Sequence, residues 1–423
     1  MTRDECIALD AADPLAQHRA LFSLPQDVVY LDGNSLGALP SATSSRVREV
    51  IERQWGQGLI RSWNSANWIE LARRVGAKIA LLIGAQPDEV ICADSTSVNL
   101  FKVLATALRL QSSRPQVSVA DRRFIVSERT NFPTDLYVAE GLIDLLGHKH
   151  ELKLVESGNF AAAIDDRTAV VMLTHVNFRT GAMHDISTLT RHAHDAGALT
   201  VWDLSHSAGA VPVALNAAEA DFAVGCGYKY LNGGPGAPAF VFAASRHLHA
   251  LASDAYAQPL SGWLGHRAPF DFEHHYQPAP SIDRFAVGTP SIVALSALEA
   301  GVDTVVSAGI DALRNKSVAL TDLFVRLAEQ RCADQGVHLA SPRNSEHRGS
   351  QVCLTHVDAY AVMQALILRG VIGDFRAPDI LRFGFAPLYV SYVDVFDAVE
   401  ALHQVLATAE WQRAACQQRA TVT

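Results

Sequence analysis

The sequence predicts an α/β fold with a large, mainly parallel sheet domain and a smaller α+β domain at the C-terminus. Three observations predict it. The apolar runs FIVSE, AVVMLTHV, ALTVWD and DFAVGC have strand length and are separated by helix-length segments, the pattern of a buried parallel sheet with helices on both faces. After Val287-Gly288-Thr289-Pro290 the order changes to long helical stretches followed by closely spaced strands. The chain's 423 residues also exceed the roughly 250–300 that one hydrophobic core usually serves.

The elements follow in order. The N-terminal segment, residues 1–64, contains VVYLDGNSLGALP, a short strand leading into a turn-rich loop with Gly33, Gly37 and Pro40. The stretch Ala42 to Trp55 has helical spacing, with Ser41 as its N-cap. In the large domain, residues 65–295, ELARRVGAKIALLIG reads as a helix, EVICAD as a strand and VNLFKVLATALRL as an amphipathic helix. SIVALSALEAGVDTVVSAG then links to the small domain, residues 296–423, where ALRNKSVALTDLFVRLAEQRC is helical. SQVCLTHV, VIGDFRA and ILRFGFAPLYV read as strands, and VDVFDAVEALHQVLATAEW closes the chain as a helix.

Composition narrows the function. Hydrophobic residues make up 49% and charged residues 19%, which suits a packed core and not a disordered chain. A net charge of −9 disfavours nucleic acid or an anionic membrane as partner. No apolar run reaches the roughly 20 residues of a membrane span, and MTRDECIALDAADP lacks an apolar signal core, so a cytoplasmic protein is expected. Cys6, Cys92, Cys226, Cys332, Cys353 and Cys416 are scattered without a CxxC pair, neither a zinc pattern nor a disulfide framework. His247, His249, His266, His274 and His275 lack ligand spacing and read as packing or surface residues, so no metal is expected.

The chemistry concentrates between Thr200 and Phe240. The run ending in Trp202 delivers Asp203 and His206, and the later run Phe222–Val224 delivers Lys229 between Tyr228 and Tyr230. Each alone also reads as a helix-capping Asp or a surface lysine. Together they match the needs of pyridoxal phosphate, whose aldehyde a lysine amine holds and whose ring nitrogen a carboxylate keeps protonated. Asp94-Ser95-Thr96-Ser97-Val98-Asn99 joins a strand to a helix, where free N–H groups and hydroxyls can receive a phosphate or simply cap the helix. Neither a GxGxxG nor a P-loop motif is present. Phe132 in NFPTD can stack on a flat ring or serve as core. Arg382 lies in an otherwise apolar strand and must meet an anion, either a substrate carboxylate or a structural Asp or Glu.

With these pieces placed, the chain resembles the aminotransferase-like, fold-type I pyridoxal-phosphate enzymes, and within them the kynureninase family. The resemblance spans nearly the whole length and rests on YLDGNSLGALP, GLIRSWNSANW, DSTSVNLFKVL, NFPTDLYVAEGL, THVNFRTGAMHD, WDLSHSAGAVPV, GCGYKYLNGGPGAP, PLSGWLGH, FAVGTPSI and RFGFAPLYVSY. It implies a seven-stranded large sheet, a homodimer with active sites at the subunit interface, and hydrolytic Cβ–Cγ cleavage of L-kynurenine to anthranilate and L-alanine. By the same resemblance Lys229 holds the cofactor, Asp203 binds its ring nitrogen and His206 lies beside its phenolic oxygen. Thr96, Ser97 and Tyr228 hold the phosphate with Trp263 and Thr289 of the other subunit. Phe132 stacks on the ring, and Asp135 and Thr174 complete its surroundings. Arg382 takes the substrate carboxylate, Ser35 and Trp63 line the aromatic end of the pocket, and Tyr228 is the candidate acid/base. Ser205 stands in LSHSAG where some relatives have Ala. Trp63, Gly288 and Thr289 resemble bacterial forms, which implies kynurenine before its 3-hydroxy analogue. Two rivals stay open: a cysteine desulfurase, which needs a reactive cysteine at Cys332 or Cys353, and a non-catalytic sensor, which needs an added basic DNA-binding domain.

Overall fold

A computed structural model describes residues 1–113, 122–251, 254 and 256–419. Its strands in chain order are β1 (Val29–Tyr30), β2 (Val90–Cys92), β3 (Phe124–Glu128), β4 (Glu151–Val155), β5 (Thr168–Thr174), β6 (Leu199–Asp203), β7 (Phe222–Gly225), β8 (Phe240–Ala243), β9 (His338–Leu339), β10 (Gln351–Thr355), β11 (Val371–Ile372), β12 (Asp374–Arg376) and β13 (Ile380–Gly384). Seven of them form the large sheet in the order β2-β8-β7-β6-β5-β3-β4. Strands β4, β3, β5, β6 and β7 run parallel, and β8 is antiparallel to both β7 and β2. Every residue of β5, β6, β7 and β8 is buried, so helices must cover both faces, which is why β5, β6 and β7 read as unbroken apolar runs. Each fully buried Val, Leu or Phe side chain contributes roughly 1.5–3 kcal/mol to that core.

The helix Leu71–Ile83 packs on β2 through Gly76, where an added Cβ would strike the Val90 backbone. The helices Ile292–Ala308 and Ile310–Cys332 follow the large sheet, and among the described residues no single helix is long and apolar enough to cross a membrane. The C-terminal sheet has the order β12-β13-β10-β9, and the N-terminal β1 pairs in parallel with β11. The N-terminal segment is thereby stitched to the C-terminal unit, and β13 also meets Asp32 through an isolated bridge at Gly384.

Four expectations are corrected. Pro40, not Ser41, is the N-cap of the helix Ser41–Glu49, and Ser41 is already helical. The fixed φ of Pro40 favours the extended cap conformation it holds. Strands β4 and β8 escape a reading by apolar runs, because ELKLV carries charges at alternate positions and FVFA is only four residues long. The strand in ILRFGFAPLYV stops at Gly384, since Pro387 has no N–H for a ladder. Between β6 and β7 the chain makes turns and not a helix.

Candidate active site

The parallel strands deliver the functional side chains to one edge. Thr174 ends β5 and Asp203 ends β6, and the two are direct partners in the register, with Val224 of β7 next in the row. Phe132 caps the helix Pro133–Leu145 that follows β3, and Asp135 lies in its first turn. Thr96 and Ser97 open the helix Thr96–Ser112 after β2, with Ser95 as the cap accepting from the Val98 N–H at 3.4 Å. Carboxyl ends of parallel strands are where open α/β sheets bind ligands.

Lys229 Nζ lies 2.9 Å from His206 Nε2 and 5.7 Å from the centre of the Tyr228 ring. Burial, and then the charge of Lys229, hold the His206 imidazole well below its usual pKa, so the ring stays neutral and its Nε2 can accept a hydrogen bond from the lysine amine. Asp203 is buried and receives the Ser205 N–H on Oδ1 at 2.7 Å. Burial raises its pKa, against the opposing pull of Ser205 and Lys229. Beside it, Asp135 is pushed up by burial and by Asp203, and its Oδ2 lies 3.4 Å from the Thr174 hydroxyl. Burial, ahead of smaller contributions from Cys226 and Asp203, raises the Tyr228 phenol, so it remains protonated at neutral pH.

The loop GNSLG reaches this centre by close backbone contact. Gly37 donates its N–H to Tyr228 O at 2.8 Å, and a Cβ there would collide with Lys229 O. From the same loop Ser35 joins a second cluster. Arg382 Nε donates to Asp374 Oδ1 at 2.7 Å and its Nη2 to Asp374 Oδ2. Its Nη1 donates to Phe178 O at 2.8 Å and Nη2 to Ser35 Oγ at 2.7 Å, while Ser35 Oγ donates to Asp374 Oδ2 at 2.8 Å. Arg376 Nη2 shares Asp374 Oδ2 at 2.7 Å. Burial and the Asp374 charge push nearby Asp32 up to about 7.

The structure therefore brings Lys229, His206, Tyr228, Asp203, Asp135 and Thr174 together, with Arg382 and Ser35 in an adjoining cluster. Phe132 packs edge-on against Phe178 at 5.3 Å, whose carbonyl Arg382 holds, so the two clusters meet there. Ser35 bonds Arg382 and Asp374, and Trp63 packs on Trp68 at 6.2 Å. Trp263 packs on Phe270 at 5.7 Å, and Thr289 lines a cavity with Cys92, Asp94 and Gly236. Among the described residues no hydrogen bond or ring contact joins Trp63, Trp263 or Thr289 to Lys229. Asp374, Phe178 and Asn131, which accepts the Thr174 hydroxyl, are the residues a reading by motif misses. Asp374 faces Arg382 across the β12–β13 hairpin, a pairing that no motif in the sequence announces.

The arrangement fits pyridoxal phosphate. Among the described residues Asp203 has no salt bridge, and burial alone disfavours its charge. A pyridinium N–H would supply the missing cation, as Lys229 would supply the amine and the first turn at Thr96 and Ser97 the anion site. The sixfold set of cysteines gives no competing nucleophile, since all are buried.

Comparison with known proteins agrees. Residues 313–402 match the family described as kynureninase C-terminal domain. A kynureninase of Burkholderia mallei is 55% identical over 423 residues, covering 100% of both chains. A kynureninase of Pseudomonas fluorescens is 52% identical over the same length, again covering 100% of both. Among solved structures, a cysteine desulfurase from Thermococcus onnurineus superposes with a TM-score of 0.74 at 21% identity, over 93% of this chain and 98% of that one. A cystine C–S lyase with glycine covalently linked to its pyridoxal phosphate gives 0.72 at 14% identity, over 92% of this chain and 98% of that one. These structures share the fold.

Proposed function

The chain belongs to the kynureninase family, and from that premise we propose that Lys229, Asp203, His206, Tyr228 and Arg382 carry the reaction. That reaction is the pyridoxal-phosphate-dependent hydrolysis of the Cβ–Cγ bond of L-kynurenine, giving anthranilate and L-alanine in tryptophan degradation. The observation that carries the assignment is the convergence of Lys229 Nζ, the neutral His206 ring and the buried Asp203 carboxylate, which has no salt bridge among the described residues.

Bound pyridoxal phosphate supplies an aldehyde for the substrate amine and an electron-withdrawing pyridinium ring. Asp203 keeps that ring protonated, and Phe132 and Thr174 hold its position. With the cofactor bound, the Lys229 amine would be placed to take the α-proton, and neutral His206 would orient that amine by accepting a hydrogen bond from it. Tyr228, protonated and next in sequence to the lysine, donates a proton when the carbon–carbon bond breaks. Arg382 binds the substrate carboxylate. Borohydride reduction of the holoenzyme followed by peptide mapping tests the assignment. The label belongs on Lys229, and a label on Lys102 or Lys316 would overturn it.

The proposal extends to a homodimer in which Trp263 and Thr289 complete the partner's phosphate site. Among the described residues neither makes a hydrogen bond or ring contact with Lys229, which supports this. Kynurenine is the preferred substrate, with 3-hydroxykynurenine also accepted, an assignment resting on Trp63, Gly288 and Thr289. A cytoplasmic location agrees with six cysteines that are all free. The desulfurase alternative loses its nucleophile. Burial pushes the Cys332 thiol up to about 11 and that of Cys353 to about 12, whereas a reactive cysteine needs an exposed thiolate.

A further inference from the structure

A guanidinium has five N–H groups, and in Arg382 four are engaged: Nε and one Nη2 hydrogen by Asp374, the other Nη2 hydrogen by Ser35, and one Nη1 hydrogen by Phe178 O. The side of the fork formed by Nε and Nη2 is closed by Asp374. What remains for a substrate is the end formed by Nη1, with one hydrogen open, and Nη2, whose outer hydrogen is held by the small, exchangeable hydroxyl of Ser35. Asp374 is itself fixed on all sides. It faces Arg382 in the β12–β13 register, is 2% exposed, takes a further hydrogen bond from Ser35 and forms an ion pair with Arg376.

We propose that Asp374 is the positioning residue of the substrate-carboxylate site. By occupying one side of the Arg382 fork it turns the other end toward the pocket, so the carboxylate binds end-on through Nη1 and Nη2 and replaces Ser35 on Nη2. Two features of the cluster support this. Without a neighbouring carboxylate the 1% exposed Arg382 would be a buried, uncompensated charge, free to rotate toward whatever anion is nearest. Phe178 O restrains Nη1 from the opposite side and, through the Phe178 ring, sets the carboxylate end at a fixed distance from Phe132. An arginine so held is pre-organised, and less ordering cost falls on substrate binding.

The proposal rests on Arg382 being the carboxylate clamp, and the test separates the two ideas. Binding of L-kynurenine and of its α-carboxamide to the holoenzyme is followed through the cofactor absorbance, and the ratio of the two dissociation constants is the readout. Arg382→Ala should reduce the preference for the acid by about 10–100-fold, the range of a charge-assisted hydrogen bond. Asp374→Asn should reduce it nearly as much, raising KM far more than it lowers kcat, while the absorbance of the ligand-free holoenzyme is unchanged. Asp374→Glu, which keeps the charge, should recover part of the preference and should also fold if Asp374→Asn does not. A wild-type ratio in Asp374→Asn or in Asp374→Glu, or tighter binding of the acid in Asp374→Asn, overturns the positioning role while leaving Arg382 as the clamp. A wild-type ratio in Arg382→Ala overturns the clamp itself.

Discussion

Lys229 Nζ stands 2.9 Å from His206 Nε2, and the imidazole is held neutral by burial and by the lysine's own charge. The pair joins the turn after β6 to the loop after β7, so the amine is placed by two strands and not by one flexible side chain. Replacing His206 by Ala should leave the cofactor attached at Lys229 but lower kcat by about tenfold or more, because the amine loses its acceptor. Unchanged kcat in a folded, cofactor-loaded variant would assign the histidine to packing.

Asp203→Asn keeps the shape of the side chain and removes the charge that the ring nitrogen needs. A charge-assisted hydrogen bond of this kind is worth roughly 1.5–3 kcal/mol. The variant should fold, release pyridoxal phosphate faster on dialysis and lose most of its turnover. Wild-type retention and activity would mean another carboxylate, with Asp135 the nearest, serves the ring.

Tyr228→Phe removes the proposed proton donor without opening a cavity. Turnover should fall by about 100-fold with the cofactor still bound. Because burial raises the phenol above its ordinary 10.0, the wild-type profile should show no alkaline loss from this residue below pH 10. Full activity in Tyr228→Phe would return the proton transfers to Lys229 alone.

Stability against acid depends on a different part of the sheet. Asp221, immediately before β7, accepts from the Thr200 N–H at 2.8 Å and pairs with His194 at 2.9 Å, His247 at 2.7 Å and Arg246 at 2.8 Å. Burial opposes its charge, but the hydrogen bonds from His194 and His247 outweigh burial and hold its pKa below the ordinary 3.8. A depressed carboxylate contributes stability that is full above the unfolded pKa and is lost as pH falls below it. Asp221→Asn should therefore destabilise the protein at pH 7 by about 3–5 kcal/mol, the usual cost of breaking a buried pair. It should also flatten the loss of stability below pH 4 in denaturant titrations. Equal slopes for the two proteins would contradict this.

Asp203 and Lys229 are legible in the sequence because each follows an apolar run, and a polar residue at a buried strand's end must be at a loop edge. The phosphate turn at Thr96 and Ser97 is legible for the same reason. Asp374 is not, since its meaning depends on facing Arg382 across a hairpin whose register no turn motif in the sequence specifies. Strand β8 is hidden because four residues after a Gly- and Pro-rich loop carry too little periodicity. The sequence likewise cannot show that Ser35 bonds Arg382, a contact between residues 347 positions apart, which only the pairing of β1 with β11 and the bridge at Gly384 bring together.

The most direct test of the account is anthranilate release from L-kynurenine by the purified protein with pyridoxal phosphate, followed by its fluorescence, with Lys229→Ala assayed alongside. The account predicts anthranilate and L-alanine in equal amounts from the wild type, and negligible turnover from a folded Lys229→Ala protein. No anthranilate from the wild type, or comparable turnover from the variant, would contradict it.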